Sequence, residues 1–144
     1  MILDFLDDIN WAAVGVSLVV AFAIGLVWFS PSALGGFWAR QVSRYTGMPE
    51  GEVIKGSSQA PPLAQWLLGF AITAVVMALA GEAVGADSAG DGVVLGLVLG
   101  VGLGATLSSW PPIFARMPWA WWLVNNGAFL LVLASMGAIL GAWR

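Results

Sequence analysis

Four stretches of the chain run apolar for the length of a membrane crossing, and connections rich in Gly, Pro and charge separate them. They run from about Ile9 to Phe29, Leu63 to Gly81, Val93 to Trp110 and Trp121 to Trp143. Each reaches the roughly 18 nearly uncharged residues that a helix needs to cross the hydrocarbon core. The pattern predicts an all-α integral membrane protein, a four-helix bundle forming one domain over residues 1–144.

A different periodicity follows the first stretch. After Pro31, the residues Leu34, Phe37, Trp38, Val42 and Tyr45 recur at helical spacing, with Arg40 and Arg44 on the opposite face. This predicts a short amphipathic helix over about 33–46 that lies in the interface, its rings in the acyl boundary and its arginines at lipid headgroups. Residues 47–62 form the long polar connection; Pro49, Glu50 and Glu52 suit one helical turn, and the remainder reads as flexible loop. Short connections around Gly85 to Asp91 and at Pro111-Pro112 predict that spans two and three, and three and four, are antiparallel neighbours.

Composition agrees with the pattern: 60% of residues are hydrophobic and 9% charged, against the roughly 25% charge of a soluble domain. The leader MILDFLDD carries Asp4, Asp7 and Asp8 where a signal peptide needs basic residues, so the first stretch reads as a retained span. Charge also orients the bundle. Arg40, Arg44, Lys55 and Arg116 fall on one side, whereas Arg144 is alone among Asp4, Asp7, Asp8, Glu82, Asp87 and Asp91 on the other. The positive-inside rule makes the first side cytoplasmic and places both termini outside. Trp28, Trp38, Trp66, Trp110, Trp119, Trp121 and Trp122 fall at the inner boundary, and Trp11 and Trp143 at the outer, where indole rings favour the headgroup level.

The most specific packing signal is the repeat Gly92, Gly96, Gly100 and Gly104, a track of about 18 Å on one helix face along which another backbone can approach closely. Span one offers Ala13, Ser17, Ala21 and Gly25 as a partner, and span four offers Gly137 and Gly141. A second copy or a foreign helix would fit the same groove. Among polar residues within spans, Asn125 and Asn126 stand out, because a carboxamide in hydrocarbon either bridges helices or meets a ligand.

Chemistry is scarce. There is no Cys and no His, which removes thiolates, disulfides, the commonest metal ligand and the usual general base. Ser30 lacks a nucleophile-elbow setting, and Gly35-Gly36 lacks the spacing and Lys of a phosphate loop. No ionisable residue lies inside the spans, Glu82 standing at the end of the second, which weighs against coupled proton or cation transport. Neither a catalytic residue, a metal ligand nor a cofactor site is expected, and nucleic acid is not a partner.

The run Trp28-Phe29-Ser30-Pro31-x-x-Leu34-Gly35-x-x-Trp38 resembles the W-[YF]-S-P-x-x-[FL]-G-x-x-W signature of the domain of unknown function 1761 family of small integral membrane proteins. Asn125, then Gly137-Ala-Ile-Leu and Trp143, resemble that family's C-terminal span, although many members carry an aromatic-His pair where this chain has Ala128 and Phe129. The resemblance implies a four-helix membrane domain, in a bacterial cytoplasmic membrane, and no particular activity. The leading expectation is a non-catalytic membrane component, self-associating or an accessory subunit of a larger complex. The alternative is a channel or carrier for a small neutral or lipid-like molecule, entered at the Asn125/Asn126 level and the tryptophan-rich rim.

Overall fold

A computed structural model describes residues 6–144. Asp4, counted above with the acidic side, lies outside the described residues. The protein is helical, with α1 (Trp11–Trp28), α2 (Gly35–Thr46), α3 (Glu50–Ser57), α4 (Ala60–Val84), α5 (Ala89–Leu99), a π-helical segment (Gly100–Ala105), α6 (Trp110–Phe114) and α7 (Trp119–Ala142). Four of its helices are long and apolar enough to cross a membrane: α1, α4, the run Ala89–Phe114, and α7.

Local chemistry sets the boundaries. The Asn10 side chain accepts from the Ala12 and Ala13 amides at 3.1 and 3.2 Å and starts α1. Pro61 and Pro62 occupy the first turn of α4, where the absent N–H costs nothing, and Gly85 ends that helix in the left-handed region at φ 67°. Ser88 caps α5 by accepting from the Asp91 amide at 3.1 Å while its hydroxyl donates to the Asp91 carboxylate at 2.6 Å.

α7 is the central element, packed on α5, α1, α4 and α2. Its contact with α5 is the most extensive in the molecule, whereas α4 and α5, expected as neighbours from their short connection, barely touch. The glycine track explains this. A Cβ at Gly92 would overlap the Gly137 carbonyl, one at Gly96 the Leu133 carbonyl, and one at Gly141 the Ser88 carbonyl. The two backbones are in contact, so α7 rather than α4 occupies the face of α5.

The track is shorter than its four-residue repeat. At Gly100 a Cβ would still lie 2.7 Å from Leu130 Cδ2, but Gly104 is exposed and meets only its own Leu99 carbonyl, at 3.9 Å. The π-helical segment is the cause, since its i→i+5 bonding widens the turn and rotates residues at fourfold spacing off the face. Glycine at 100, 102 and 104 makes an ordinary helix unfavourable there.

The small residues of α1 serve the other side of α7. Ala13, Ser17, Ala21 and Gly25 are all buried, and the core assembles Ile9, Val14, Ala21, Phe70, Ala74, Ala78, Val132 and Met136. Outward faces stay apolar, with Val19, Val27, Leu68 and Leu107 each more than 60% exposed. Residues of this kind suit contact with lipid, where exposure of apolar surface carries no hydration cost.

The connection 47–62 contains more structure than its composition suggests. Pro49 and the acids Glu50 and Glu52 open an eight-residue helix, α3, that ends near Lys55 and Ser57. Val53 is buried, and α3 packs on α2. The burial of that apolar side supports a helix that Gly51 and Gly56 would otherwise weaken.

Candidate functional site

The chain leaves α1 through a tight elbow whose bonds account for each residue of the Trp28 to Trp38 run. Trp28 turns into the bundle, its indole N–H donating to the Val124 carbonyl of α7 at 3.1 Å. Gly127 leaves room for that ring, since a Cβ there would lie 3.0 Å from it. Ser30 Oγ donates to the Val27 carbonyl at 2.7 Å, satisfying an acceptor at the helix end, and stands 3.0 Å from Ser32 Oγ. Pro31 follows and cannot donate to continue the helix. The chain then folds back, with the Leu34 amide on the Trp28 carbonyl at 3.0 Å and the Gly35 amide on the Ser30 carbonyl at 3.0 Å. Gly35 is buried so close to this turn that a Cβ would lie 2.8 Å from the Ser30 carbonyl oxygen.

Aromatic rings lock α2 and α4 to the elbow. Phe29 meets Trp38 edge to face at 5.9 Å and Trp66 at 5.8 Å, and Trp66 also packs on Phe22 and Phe70. Gly25 admits Trp66 to the surface of α1: a Cβ there would lie 2.5 Å from the indole Cζ2. The indole N–H of Trp38 is buried and has no hydrogen-bond partner among the described residues.

Between these elements lies an open pocket of about 710 Å³. This is within the usual range for small-molecule sites. Leu26, Phe29, Pro31, Ile54, Leu63 and Trp66 supply its apolar wall, with Gly25, Gly35 and Pro62 filling the gaps. Its polar wall consists of Ser30, Ser57, Ser58, Gln65 and Trp38. The end of α1, the elbow, α2, α3 and the start of α4 all contribute, and no charged side chain among the described residues lines the cavity.

A comparison with family profiles matches residues 12–141 to the family described as "Protein of unknown function (DUF1761)". The chain belongs to this family. Comparison with curated proteins found no match, and neither did comparison with solved structures. For this DUF1761 member, then, the Trp28 to Trp38 run lies within the matched residues and forms one wall of the pocket; Phe29, Ser30, Pro31, Gly35 and Trp38 line it, and the Trp28 indole is tied to α7.

The other candidate residues of the DUF1761 chain lie elsewhere. Asn126 is buried, its Nδ2 donating to the Trp122 carbonyl at 2.9 Å and its Oδ1 accepting from Ser108 Oγ at 2.9 Å. This joins α7 to the segment after the π-helical turn. Asn125 Nδ2 donates to the Trp121 carbonyl at 2.7 Å. Both amides thus have protein partners, and neither lines the elbow pocket. Arg40 and Arg44 are exposed on α2, with the Arg40 guanidinium 5.9 Å from the Phe37 ring centre, and neither lines the pocket. Tryptophans expected simply as interface markers divide into two groups. Trp110 and Trp119 are exposed, but Trp28 and Trp122 donate into the bundle, Trp122 to the Ala105 carbonyl at 3.3 Å.

At the opposite end of the bundle the chain closes on itself. Asn10 Nδ2 donates to the Trp143 carbonyl at 2.9 Å, and Arg144 forms a two-point ion pair with Glu82, one bond being Nε to Oε1 at 2.8 Å. The bond from Glu82 raises the Arg144 guanidinium above its ordinary pKa, with Asp87 adding a smaller contribution. A cavity of about 20 Å³ beneath the pair has room for about one water.

Proposed function

We propose that this protein is a non-catalytic membrane protein that holds a lipid-like molecule in the elbow pocket. The observation that carries the reading is a ligand-sized, mainly apolar cavity walled by Phe29, Ser30, Pro31, Gly35 and Trp38, residues of the run that resembles the family signature. Its position suits such a molecule. α1 ends there and α2 begins, so an acyl chain can lie against Leu26 and Leu63 while a polar group meets Ser57, Ser58 and Gln65. The absence of His and Cys from the sequence supports a binding role over catalysis. Arg40, Arg44, Lys55 and Arg116 support a cytoplasmic position for this end, in a bacterial inner membrane with both termini outside; a reporter fused in the loop 51–59 should score cytoplasmic, and an external score overturns the orientation.

Photolabelling tests the pocket. Protein reconstituted in nanodiscs with an alkyl-diazirine lipid should carry label on peptides spanning 25–38 and 54–66. Ile54→Trp, which places an indole in the cavity, should remove that label and leave the label on outward faces of the spans. Uniform labelling of all lipid-facing helices, unaltered by Ile54→Trp, rules the site out.

A second reading, a self-associating or accessory component of a larger membrane complex, draws support from Gly102 and Gly104. Both are exposed in the π-helical segment and leave its backbone open to close approach from outside. Native gels of mildly extracted protein should then show a larger species, and an isolated monomer rules this reading out.

A further inference from the structure

The chemistry of the pocket's polar wall narrows the ligand, and this step rests on the lipid-like reading above. Ser57 Oγ and Ser58 Oγ both donate to the Ile54 carbonyl, at 2.9 and 2.8 Å, and Ser30 Oγ donates to the Val27 carbonyl at 2.7 Å. With each hydroxyl proton engaged by backbone, these lining serines have only acceptor capacity to offer, and Ser30 Oγ shares its own with Ser32 Oγ at 3.0 Å. Trp38 also lines the cavity, and its indole N–H is buried with no partner among the described residues, so a ligand oxygen relieves that deficit only where the ring shifts on seating. No Lys or Arg among the described residues lines the cavity to offset an anion.

We infer that the elbow pocket takes an uncharged amphiphile whose head group carries both a hydroxyl donor and a carbonyl acceptor, the chemistry of a mono- or diacylglycerol, and discriminates against phosphate-bearing lipids. A glycerol hydroxyl donates to the serine oxygens, and an ester carbonyl accepts from Trp38 or the Gln65 amide. A phosphodiester offers acceptors alone. It meets three acceptor oxygens, and each serine that turned to donate to it would give up a bond to backbone.

Competition against the diazirine probe tests this with dioleoylglycerol and dioleoylphosphatidylcholine, whose acyl chains are the same; the phosphocholine head group has no hydroxyl donor. Dioleoylglycerol should protect the pocket peptides at a mole fraction about tenfold lower, the equivalent of one or two hydrogen bonds. Equal protection by the two lipids overturns the inference and leaves the pocket reading intact, whereas no pocket label with any lipid sinks the reading beneath it. The double variant Ser57→Ala with Ser58→Ala should bring the two lipids close to parity; an undiminished preference shows that these oxygens do not select. Trp38→Phe, which keeps a ring against Phe29, should weaken protection by dioleoylglycerol several-fold, and unchanged protection removes the indole N–H from the proposal. Ser58→Arg, which gives the phosphate a cationic partner, should reverse the preference toward the phosphate-bearing lipid.

Discussion

The α5–α7 seam and the elbow pocket are both built on glycine, and they use it to opposite ends. At the seam, Gly92, Gly96, Gly137 and Gly141 remove side chains so that two backbones meet. At the elbow, Gly35 lets the chain reverse on the Phe29 and Ser30 carbonyls, and Gly25 draws Trp66 against α1, so that α2, α3 and α4 are held around an opening. A repeat of small residues marks the part of this molecule that is closed. The irregular Trp28 to Trp38 run, with no periodicity, marks the part that remains available to a ligand.

Substitutions at these glycines should separate the two regions. Gly92→Ala and Gly96→Ala drive a methyl group into a facing backbone carbonyl, and each should lower stability by about 3 kcal/mol, read from the midpoint of unfolding in mixed micelles. Gly35→Ala meets its obstruction in a turn of its own chain, so the cost should be smaller, about 1–2 kcal/mol, with loss of photolabel on 54–66 as the larger effect. Trp28→Phe removes the bond to Val124 and should cost about 1 kcal/mol. Ser108→Ala, which takes one partner from Asn126, should cost about 0.6 kcal/mol and leave lipid labelling unchanged. Gly104→Ala should do the reverse of Gly92→Ala and stabilise by about 0.5 kcal/mol, because its site is open and alanine favours the helix. Equal losses at Gly92 and Gly104 would show the seam to extend along the full repeat.

Much of this was written in the sequence. Hydropathy alone determines the four spans, since length and absence of charge suffice for a crossing, and Pro31 with the Arg40/Arg44 face delimits α2. Gly104 was misplaced because fourfold spacing shares a face only at 3.6 residues per turn, and the π-helical segment breaks that relation. α3 was hidden by Gly51 and Gly56, and declares itself only through the packing of Val53. The pocket was half legible: the motif was visible as a marker, but Ile54, Ser57, Leu63 and Trp66 come from elements whose meeting depends on the fold. Gly25 and Trp66 gave separate signals, one as a packing residue and one as an interface aromatic, and only their contact reveals a common role.

On the proposed reading, the elbow and not the glycine seam is where this protein meets another molecule. Native mass spectrometry of the protein extracted gently from its own membrane, beside Ile54→Trp extracted in the same way, tests it most directly. The unmodified protein should retain an adduct with the mass of an uncharged acylglycerol, and Ile54→Trp should lose it. Identical adducts on both, or phosphate-bearing lipid on both, would contradict it.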